Sequence, residues 1–154
     1  MLVESVFTTP WGSLKVVHNE QFILNSLFTH ETKSIAQHPL SKQIVSELDA
    51  YISNPQHQFQ LPLQPCGTPY QSKVWQALLL IPPGLPCSYG DLAASLQSGP
   101  RAVGQACKRN PIALFIPCHR VVGQSSLGGY MGDKAAVPYK EALLAHENYT
   151  RVSR

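Results

Sequence analysis

The stretch that organises this chain reads Ile116-Pro117-Cys118-His119-Arg120-Val121-Val122-Gly123. It places a cysteine directly before a histidine and an arginine, with apolar residues on both sides. The run Leu114-Phe115-Ile116 is typical of a buried strand, but Pro117 has no backbone N–H to donate to a sheet ladder. We therefore expect the Cys-His-Arg triplet to lie on a sharp turn where a buried strand ends.

The same triplet has the composition of a nucleophilic site. A thiol reacts as its thiolate, and neighbouring cationic or basic groups lower its pKa. A lone Cys-His pair is nonetheless more often a small buried cysteine beside two solvated polar residues. The rest of the chain has to decide between a structural and a reactive Cys118.

Composition limits the classes of protein that fit. The chain has 154 residues, 44% apolar and 14% charged, which indicates one medium or two small folded domains. A net charge of +3 permits nucleic-acid binding without arguing for it. The first residues lack the pattern of an export signal, and no apolar run approaches the ~20 residues of a membrane helix. We expect a cytoplasmic protein, nucleoid-associated in a prokaryote, with no membrane partner.

The cysteine spacing gives no metal or cofactor motif. None of Cys66, Cys87, Cys107 and Cys118 stands in a C-x-x-C pair, so neither a zinc site nor any cofactor is expected. Free thiols in a reducing compartment are the expected state of all four.

The N-terminal part has the pattern of a small sheet with a covering helix. Residues 1–30 alternate apolar and polar residues around the turn Thr9-Pro10-Trp11-Gly12, which predicts three short antiparallel strands. Apolar residues then recur at helical spacing and predict an amphipathic helix; they are Leu40, Ile44, Leu48, Tyr51 and Ile52. The proline-rich stretch 53–69 reads as an extended surface linker with a domain boundary near 55–68.

The C-terminal part is mainly helical. Helices are predicted over 70–81, from Ser88 onward, over 101–109 and over about 137–147. Ser88 and Asp91 form a capping-box pattern. The second and third of these helices, joined by a turn with Gly99-Pro100, have the signature of a helix-turn-helix.

The third of these helices has an unusual surface. Arg101, Lys108 and Arg109 lie at its ends, while Ala102 and Gly104 lie between them. Basic ends attract phosphates, and small residues allow the helix backbone to approach another molecule closely. The alternative is a short alanine-rich helix that only packs.

The order of motifs over residues 67–147 resembles the 6-O-alkylguanine-DNA alkyltransferases, also called methylated-DNA–protein-cysteine methyltransferases. The motifs that carry the resemblance are Gly67-Thr68-Pro69-Tyr70-Gln71, Ser88-Tyr89-Gly90, Arg101-Ala102-Val103-Gly104, Asn110-Pro111, Pro117-Cys118-His119-Arg120-Val121, Gly129-Tyr130, Lys140 and Glu147. The resemblance implies an α+β fold in two parts. Residues 1–66 would form a ribonuclease H-like domain, with the small antiparallel sheet and its helix. Residues 67–154 would form a mainly helical, winged helix-turn-helix-like domain that holds the active site.

The resemblance also implies a reaction, direct repair of DNA. An alkylated guanine is flipped out of the duplex, and Cys118 takes its alkyl group in one irreversible turnover. The same transfer from 4-O-alkylthymine is a further option that the resemblance leaves open. His119 would accept the thiol proton through a water, and Glu147 would orient the imidazole, as in a nucleophile–base–orienter triad. Tyr89 would help to rotate the nucleotide and give a proton to the leaving guanine.

The position of Glu147 leaves two interpretations open. It lies near the C-terminal end of the last predicted helix, where a negative charge is opposed to the helix dipole. Glu147 is therefore either an ordinary surface residue or a residue held there by a cationic partner.

A pocket for the flipped base follows from the same resemblance. Asn110 would tie the recognition segment to the active-site turn, the Val121 carbonyl would bind the exocyclic amine, and Tyr130 would form a wall. The full set of implied substrate-binding residues is Asn110, Val121, Tyr130, Met131 and Lys140. Cys107 and Met131 differ from the common family pattern, so the size of the accepted alkyl group stays open.

The implied partner is double-stranded DNA that contains alkylated guanine, bound through its minor groove by a monomer. Arg101 would fill the gap left by the flipped base. The implied DNA-binding residues are Arg101, Ala102, Gly104, Gln71, Ser88, Lys108 and Arg109.

Three other functions fit parts of the pattern. A non-catalytic module that binds alkyl lesions would share the helix-turn-helix, but such proteins lack the cysteine that stands here at position 118. A cysteine hydrolase would need a separate oxyanion motif, and none is visible. A fused transcriptional regulator would need a further metal-binding domain.

Overall fold

The computed structural model of the chain describes residues 1–148. It opens with a three-stranded antiparallel sheet in the order β1 (Val3–Thr9), β2 (Gly12–His18) and β3 (Ile23–Thr29). The turn between β1 and β2 is closed by the Thr9 hydroxyl, which accepts hydrogen bonds from the backbone N–H groups of Trp11 and Gly12. The three predicted strands are confirmed.

Helix α1 (Pro39–Ser53) follows the sheet and packs on it. Pro39 occupies the first helical position, and the side chain of His38 accepts a hydrogen bond from the N–H of Leu40. The predicted apolar face is confirmed, because Leu40, Ile44, Leu48 and Tyr51 are all buried and Ile52 is half-buried.

The stretch between α1 and the second half is extended, as predicted, and its backbone also pairs with the start of β3. The N–H of Ile23 donates to the Pro62 carbonyl and the N–H of Gln64 donates to the Ile23 carbonyl, both at 2.8 Å. Leu61 and Leu63 pack against the core. The stretch therefore extends the backbone pairing at the start of β3.

The second half contains four α-helices and two very short strands in residues 67–148. In chain order they are α2 (Pro69–Leu78), β4 (Cys87–Ser88), α3 (Tyr89–Ser95), α4 (Pro100–Lys108), β5 (Val121–Val122) and α5 (Val137–His146). Helix α2 ends three residues before the predicted Ile81, since the prolines that follow disfavour a helical residue before them. Trp75 is buried in α2 and donates from its ring to the Ala106 carbonyl, which fixes α2 against α4.

The strand predicted before the Cys-His-Arg triplet is absent, and that expectation was wrong. Ile112 makes a single bridge with Ser26, and the chain then turns through Leu114, whose φ of 74° is left-handed. The segment is buried on all sides by packing, and burial alone does not distinguish a strand from a turn. The triplet forms one 3-10 turn, Cys118–Arg120, and β5 begins after it, parallel to β4.

The chain has a mixed α/β fold in which the buried residues of both halves form one contiguous apolar core. No helix within residues 1–148 is long and apolar enough to cross a membrane. Residues 149–154, the end of the expected second domain, lie outside the described part.

Candidate active site

Cys118 is nearly buried at the start of its 3-10 turn, with 5% of its surface exposed. Its backbone N–H donates to the Ile116 carbonyl at 2.8 Å, which tightens the turn directly after Pro117. Burial raises the pKa of the Cys118 thiol, although the hydrogen bond from Asn110 and the charge of Lys140 oppose this change. The basic neighbour Lys140 does lower this pKa, but burial outweighs it, so the thiol needs a base.

Asn110 connects the end of α4 to this turn. Its side-chain amide donates to the Ile116 carbonyl at 2.9 Å, and its side-chain oxygen accepts from the N–H of Ile112 at 3.0 Å. One short side chain thus holds both ends of the segment that precedes Cys118. A shift of α4 would be transmitted to the thiol through these two bonds.

His119 and Glu147 form a fully buried pair. The ring Nε2 of His119 lies 2.9 Å from Glu147 Oε2, and because a carboxylate can only accept, we assign the proton to Nε2. Burial lowers the pKa of His119, although Glu147 opposes this change, so the imidazole is neutral at pH 7. Nδ1 of His119 is buried and has no hydrogen-bond partner within residues 1–148. Its lone pair can accept a proton.

Glu147 accepts hydrogen bonds from His119, Arg120 and Tyr51. Arg120 binds it through two parallel hydrogen bonds, from Nε to Oε1 at 2.9 Å and from Nη2 to Oε2 at 3.0 Å. Tyr51 of α1 donates its hydroxyl to Oε2 at 2.6 Å. Burial raises the pKa of Glu147, but the bonds from His119 and Arg120 outweigh it and hold that pKa well below its ordinary value. Of the two alternatives for Glu147, the cationic partner is the one observed.

A cavity of about 700 Å³ opens above the thiol, between α4 and the loop that leads to α5. The predicted site residues that line it are Tyr89, Gly104, Lys108, Cys118, Tyr130 and Met131. Gly104 leaves the wall of α4 open, because the nearest atom that an added Cβ would meet is on the Tyr89 ring at 4.0 Å. The reactive group and the open volume therefore share one site.

Lys140 lies behind the cavity wall with its ammonium group fully buried. It donates to the carbonyl of Val121 at 2.6 Å, to the carbonyl of Gly129 at 3.1 Å and to the hydroxyl of Tyr89 at 3.4 Å. Burial lowers the pKa of Lys140 to about 8 and raises the pKa of Tyr89 to about 12. Asn110, Val121 and Lys140 are thus brought to the site without lining its cavity.

The predicted DNA-binding residues other than Gly104 fall into two groups. The side chains of Arg101, Ala102, Lys108 and Arg109 are exposed along α4. Gln71 and Ser88 use their side chains to cap helices. Gln71 forms a reciprocal capping box with Thr68, while the Ser88 hydroxyl accepts from the N–H of Asp91.

Cys107, which departs from the common family pattern, is buried and lines the cavity beside Cys118. Gly128 and Tyr51 also belong to the site and are absent from the set predicted from the sequence. Gly128 has a φ of +80°, and an added Cβ would lie 2.6 Å from the Tyr89 hydroxyl oxygen. Tyr51 was read only as part of an apolar helix face, since no local pattern links it to residue 147. A glycine in a loop was the one available signal for Gly128.

The arrangement places a nearly buried cysteine at a cavity, next in the chain to a histidine that is paired with a glutamate, and beside an exposed basic helix. All four cysteines are free thiols. Within residues 1–148, no group of three His, Cys, Asp or Glu side chains could hold a metal ion.

Comparison with known proteins identifies the family. Residues 69–149 match the family model for the DNA-binding domain of 6-O-methylguanine DNA methyltransferase. The chain belongs to this family.

Relatives match well beyond that domain. The constitutive methylated-DNA–protein-cysteine methyltransferase of Bacillus subtilis is 40% identical, over 84% of this chain and 86% of its own length. The corresponding protein of Salmonella typhimurium is 39% identical over 96% of each chain.

Solved structures show the same fold. The crystal structure of O6-methylguanine methyltransferase from Mycobacterium tuberculosis matches with a TM-score of 0.83 and 31% identity, covering 99% of this chain and 97% of the other. OGT of the same organism in complex with DNA matches with a TM-score of 0.80 and 35% identity, over 94% and 91%.

Proposed function

We propose that this chain repairs alkylated DNA by transferring the alkyl group from O6 of guanine to Sγ of Cys118. An S–C bond forms while the O–C bond to guanine breaks, and the thioether product has no route back. Each molecule therefore acts once. The observation that carries this proposal is the nearly buried Cys118 at a cavity, next in the chain to a neutral histidine paired with Glu147.

His119 is proposed as the base for the thiol. Because burial raises the pKa of Cys118, the thiol remains protonated at pH 7 until a neighbouring group takes its proton. The lone pair of His119 Nδ1 would take it through a bridging water. The ionised carboxylate of Glu147 then stabilises the imidazolium that forms.

Tyr89 is proposed as the acid for the leaving guanine. With its pKa raised to about 12, its hydroxyl stays protonated at neutral pH and can give its proton to the ring as negative charge develops. The Lys140 ammonium, 3.4 Å from that hydroxyl, would stabilise the phenolate left behind. Lys140 would thus support Tyr89 rather than contact the base.

The remaining pocket residues are proposed to orient the flipped guanine. The Val121 carbonyl would accept from the exocyclic amine with the lone pair not used by Lys140. Tyr130 and Met131 would form walls, since both line the cavity. Asn110 would fix the position of the Cys118 turn relative to α4.

Helix α4 is proposed to enter the minor groove of duplex DNA as the second helix of a winged helix-turn-helix. Residues 96–99 join it to α3 in a short turn, and β4 pairs with β5 beside them. Ala102 and Gly104 would allow close approach, Arg101 would fill the gap in the base stack, and the remaining DNA contacts would come from Lys108, Arg109, Gln71 and Ser88.

The domain organisation completes the proposal. Residues 1–66 would form a ribonuclease H-like domain and residues 67–154 the acceptor domain, in a cytoplasmic protein that acts as a monomer. The three-stranded sheet with α1 beside it supports the first of these assignments.

Intact mass spectrometry tests the proposed reaction. Incubation with an excess of duplex containing 6-O-methylguanine should add one methyl group per chain and no more, and peptide mapping should locate it on Cys118. Cys118→Ser should gain nothing and still bind DNA, whereas Cys87→Ser should react normally. Binding without any mass gain in the wild type would instead identify a non-catalytic lesion-binding module.

A further inference from the structure

Tyr51 connects the N-terminal helix α1 to the candidate active site. Its side chain is fully buried, and its hydroxyl donates to Oε2 of Glu147 at 2.6 Å across 96 positions of sequence. Burial raises the pKa of Tyr51 far above its ordinary value, so the phenol stays protonated at neutral pH. Tyr51 is therefore a permanent donor to this carboxylate.

The oxygen that Tyr51 binds is the one that binds His119. Oε2 of Glu147 accepts from Tyr51 at 2.6 Å, from His119 Nε2 at 2.9 Å and from Arg120 Nη2 at 3.0 Å. Each donor stabilises part of the negative charge of the carboxylate, and less charge is left for the others. The strength with which Glu147 favours a protonated His119 therefore depends on the Tyr51 hydroxyl.

Packing fixes the position of Tyr51 tightly. Its ring contacts Trp11, Phe59 and His146 with centroid distances of 5.6, 5.0 and 4.8 Å. His146 Nε2 also donates to the backbone carbonyl of Tyr51 at 2.8 Å. Because His146 directly precedes Glu147, the end of α5 is held to Tyr51 both through the backbone carbonyl and through the hydroxyl.

The other charged and titratable groups around this pair are few. His119 faces Glu147, Arg120 and Lys140. Tyr51 faces Glu147, Arg120 and His146. Tyr130 interacts electrostatically with both Tyr51 and Glu147. Arg120 and Lys140 are cations, so neither reproduces the effect of one neutral hydroxyl on Oε2.

We propose that Tyr51 is a positioning residue for alkyl transfer, whose hydroxyl orients Glu147 and sets the proton affinity of His119. The effect of Tyr51 on the rate of alkyl transfer rests on the proposed function, whereas its effect on the protonation of His119 does not. Residues 1–66 then contribute directly to the chemistry, because the group that tunes the base belongs to α1.

Two substitutions at this position should act in opposite directions. Tyr51→Phe keeps the ring and removes the donor, so Glu147 favours protonated His119 more strongly. The single-turnover rate constant falls at acidic pH as His119 becomes protonated. The midpoint of this fall should move to higher pH by about 0.5–1 unit, as expected for the loss of one hydrogen bond. Replacing Tyr51 by 3-fluorotyrosine makes the phenol more acidic and a stronger donor, so the midpoint of the acidic fall in the rate constant should move to lower pH.

Tyr139→Phe is the matched control. Tyr139 stacks on Phe28 with ring centroids 4.6 Å apart, and its side chain is half-buried. Removal of its hydroxyl should leave the pH profile in place. All variants are assayed at saturating protein and below their melting temperatures, so that unfolding does not enter the rates.

Nuclear magnetic resonance provides a readout that does not require activity. The 15N shifts of the His119 ring should report a raised pKa in Tyr51→Phe and a lowered one in the fluorotyrosine protein. Rates that fall equally at all pH values, with unmoved His119 shifts, would show that Tyr51 only packs and would overturn the inference. Moved shifts in a protein that transfers no alkyl group would reject the proposed function and leave the inference about His119 standing.

Discussion

Arg120 and Glu147 form a bidentate ion pair inside the protein, with N···O distances of 2.9 and 3.0 Å. The third guanidinium nitrogen of Arg120 donates to the Ile81 carbonyl at 2.9 Å. The pair thus links three separate segments of the second half, at residues 81, 120 and 147. The carboxylate that orients His119 is also a structural element, so its loss should affect both stability and rate.

Glu147→Gln should lower the free energy of unfolding by about 3–5 kcal/mol at pH 7, because it leaves a buried guanidinium without its charge partner. The folded pKa of Glu147 lies below its ordinary value of 4.5, so its contribution is present above that pH and is lost as pH falls further. The difference between wild type and variant should therefore shrink below pH 4.5. Urea unfolding at several pH values measures this, with the exposed Glu141→Gln as control; a difference independent of pH would contradict it.

Arg101→Ala should separate base flipping from chemistry. Extrusion of a base costs a few kcal/mol, and the proposed role of Arg101 is to fill the gap in the stack. Repair of duplex DNA should slow by more than about tenfold, while reaction with the free modified base should be unchanged. Arg109, directly after α4, is a proposed phosphate contact. Arg109→Ala should instead weaken binding to any duplex and lower by about one the slope of log binding constant against log salt concentration. Equal slowing of the reactions with duplex DNA and with the free base would show that Arg101 has no role in base flipping.

Gly128→Ala should displace Tyr89. The new Cβ would lie 2.6 Å from the Tyr89 oxygen, at a φ of +80° that a side chain rarely adopts. We expect a loss of stability of about 1–3 kcal/mol and a slower transfer step. In Gly129→Ala an added Cβ meets nothing within 4 Å, and the free energy of unfolding should change by less than about 0.5 kcal/mol. Equal free energies of unfolding in the two variants would rule out the predicted clash.

Cys107→Leu should narrow the cavity beside the acceptor thiol. Cys107 is 7% exposed and lines the cavity, so the larger side chain has to extend into it or strain the core. Transfer of a benzyl group should slow by more than about tenfold relative to transfer of a methyl group, a difference of about 1.4 kcal/mol or more. Cys107→Ser, of similar size, should keep the wild-type ratio of the two rates. An unchanged ratio in Cys107→Leu would place Cys107 outside the space occupied by the alkyl group.

The elements with a strong local pattern could be predicted from the sequence. Strands β1–β3 follow from alternation between turn residues, and α1 follows from apolar residues at helical spacing. A cationic partner was one of the two interpretations that the helix dipole left open for Glu147, and Arg120 is that partner.

The rest depends on contacts that no local pattern encodes. The buried apolar run at residues 112–116 fits a strand or a turn equally well, and the left-handed Leu114 decides for a turn. The pKa of Cys118 is set by burial, which the adjacent His119 and Arg120 did not reveal. The hydroxyl of Tyr51 reaches its partner across 96 positions, a distance over which periodicity carries no information.

The contact of Ser26 with residues 111–113 has a consequence for how the protein reaches its native state. Ser26 donates from its backbone to Pro111 and from its hydroxyl to Ala113, whose own N–H returns a bond to the Ser26 carbonyl. These partners lie 87 positions apart for the hydroxyl bond, so closing the loop between them costs chain entropy, and we expect it to form late in refolding. Until it closes, the turn of Cys118 has no support from the sheet. A refolding chain should therefore expose an ordinary, unshielded thiol to a pulse of alkylating reagent, and its protection should appear only in the slowest kinetic phase.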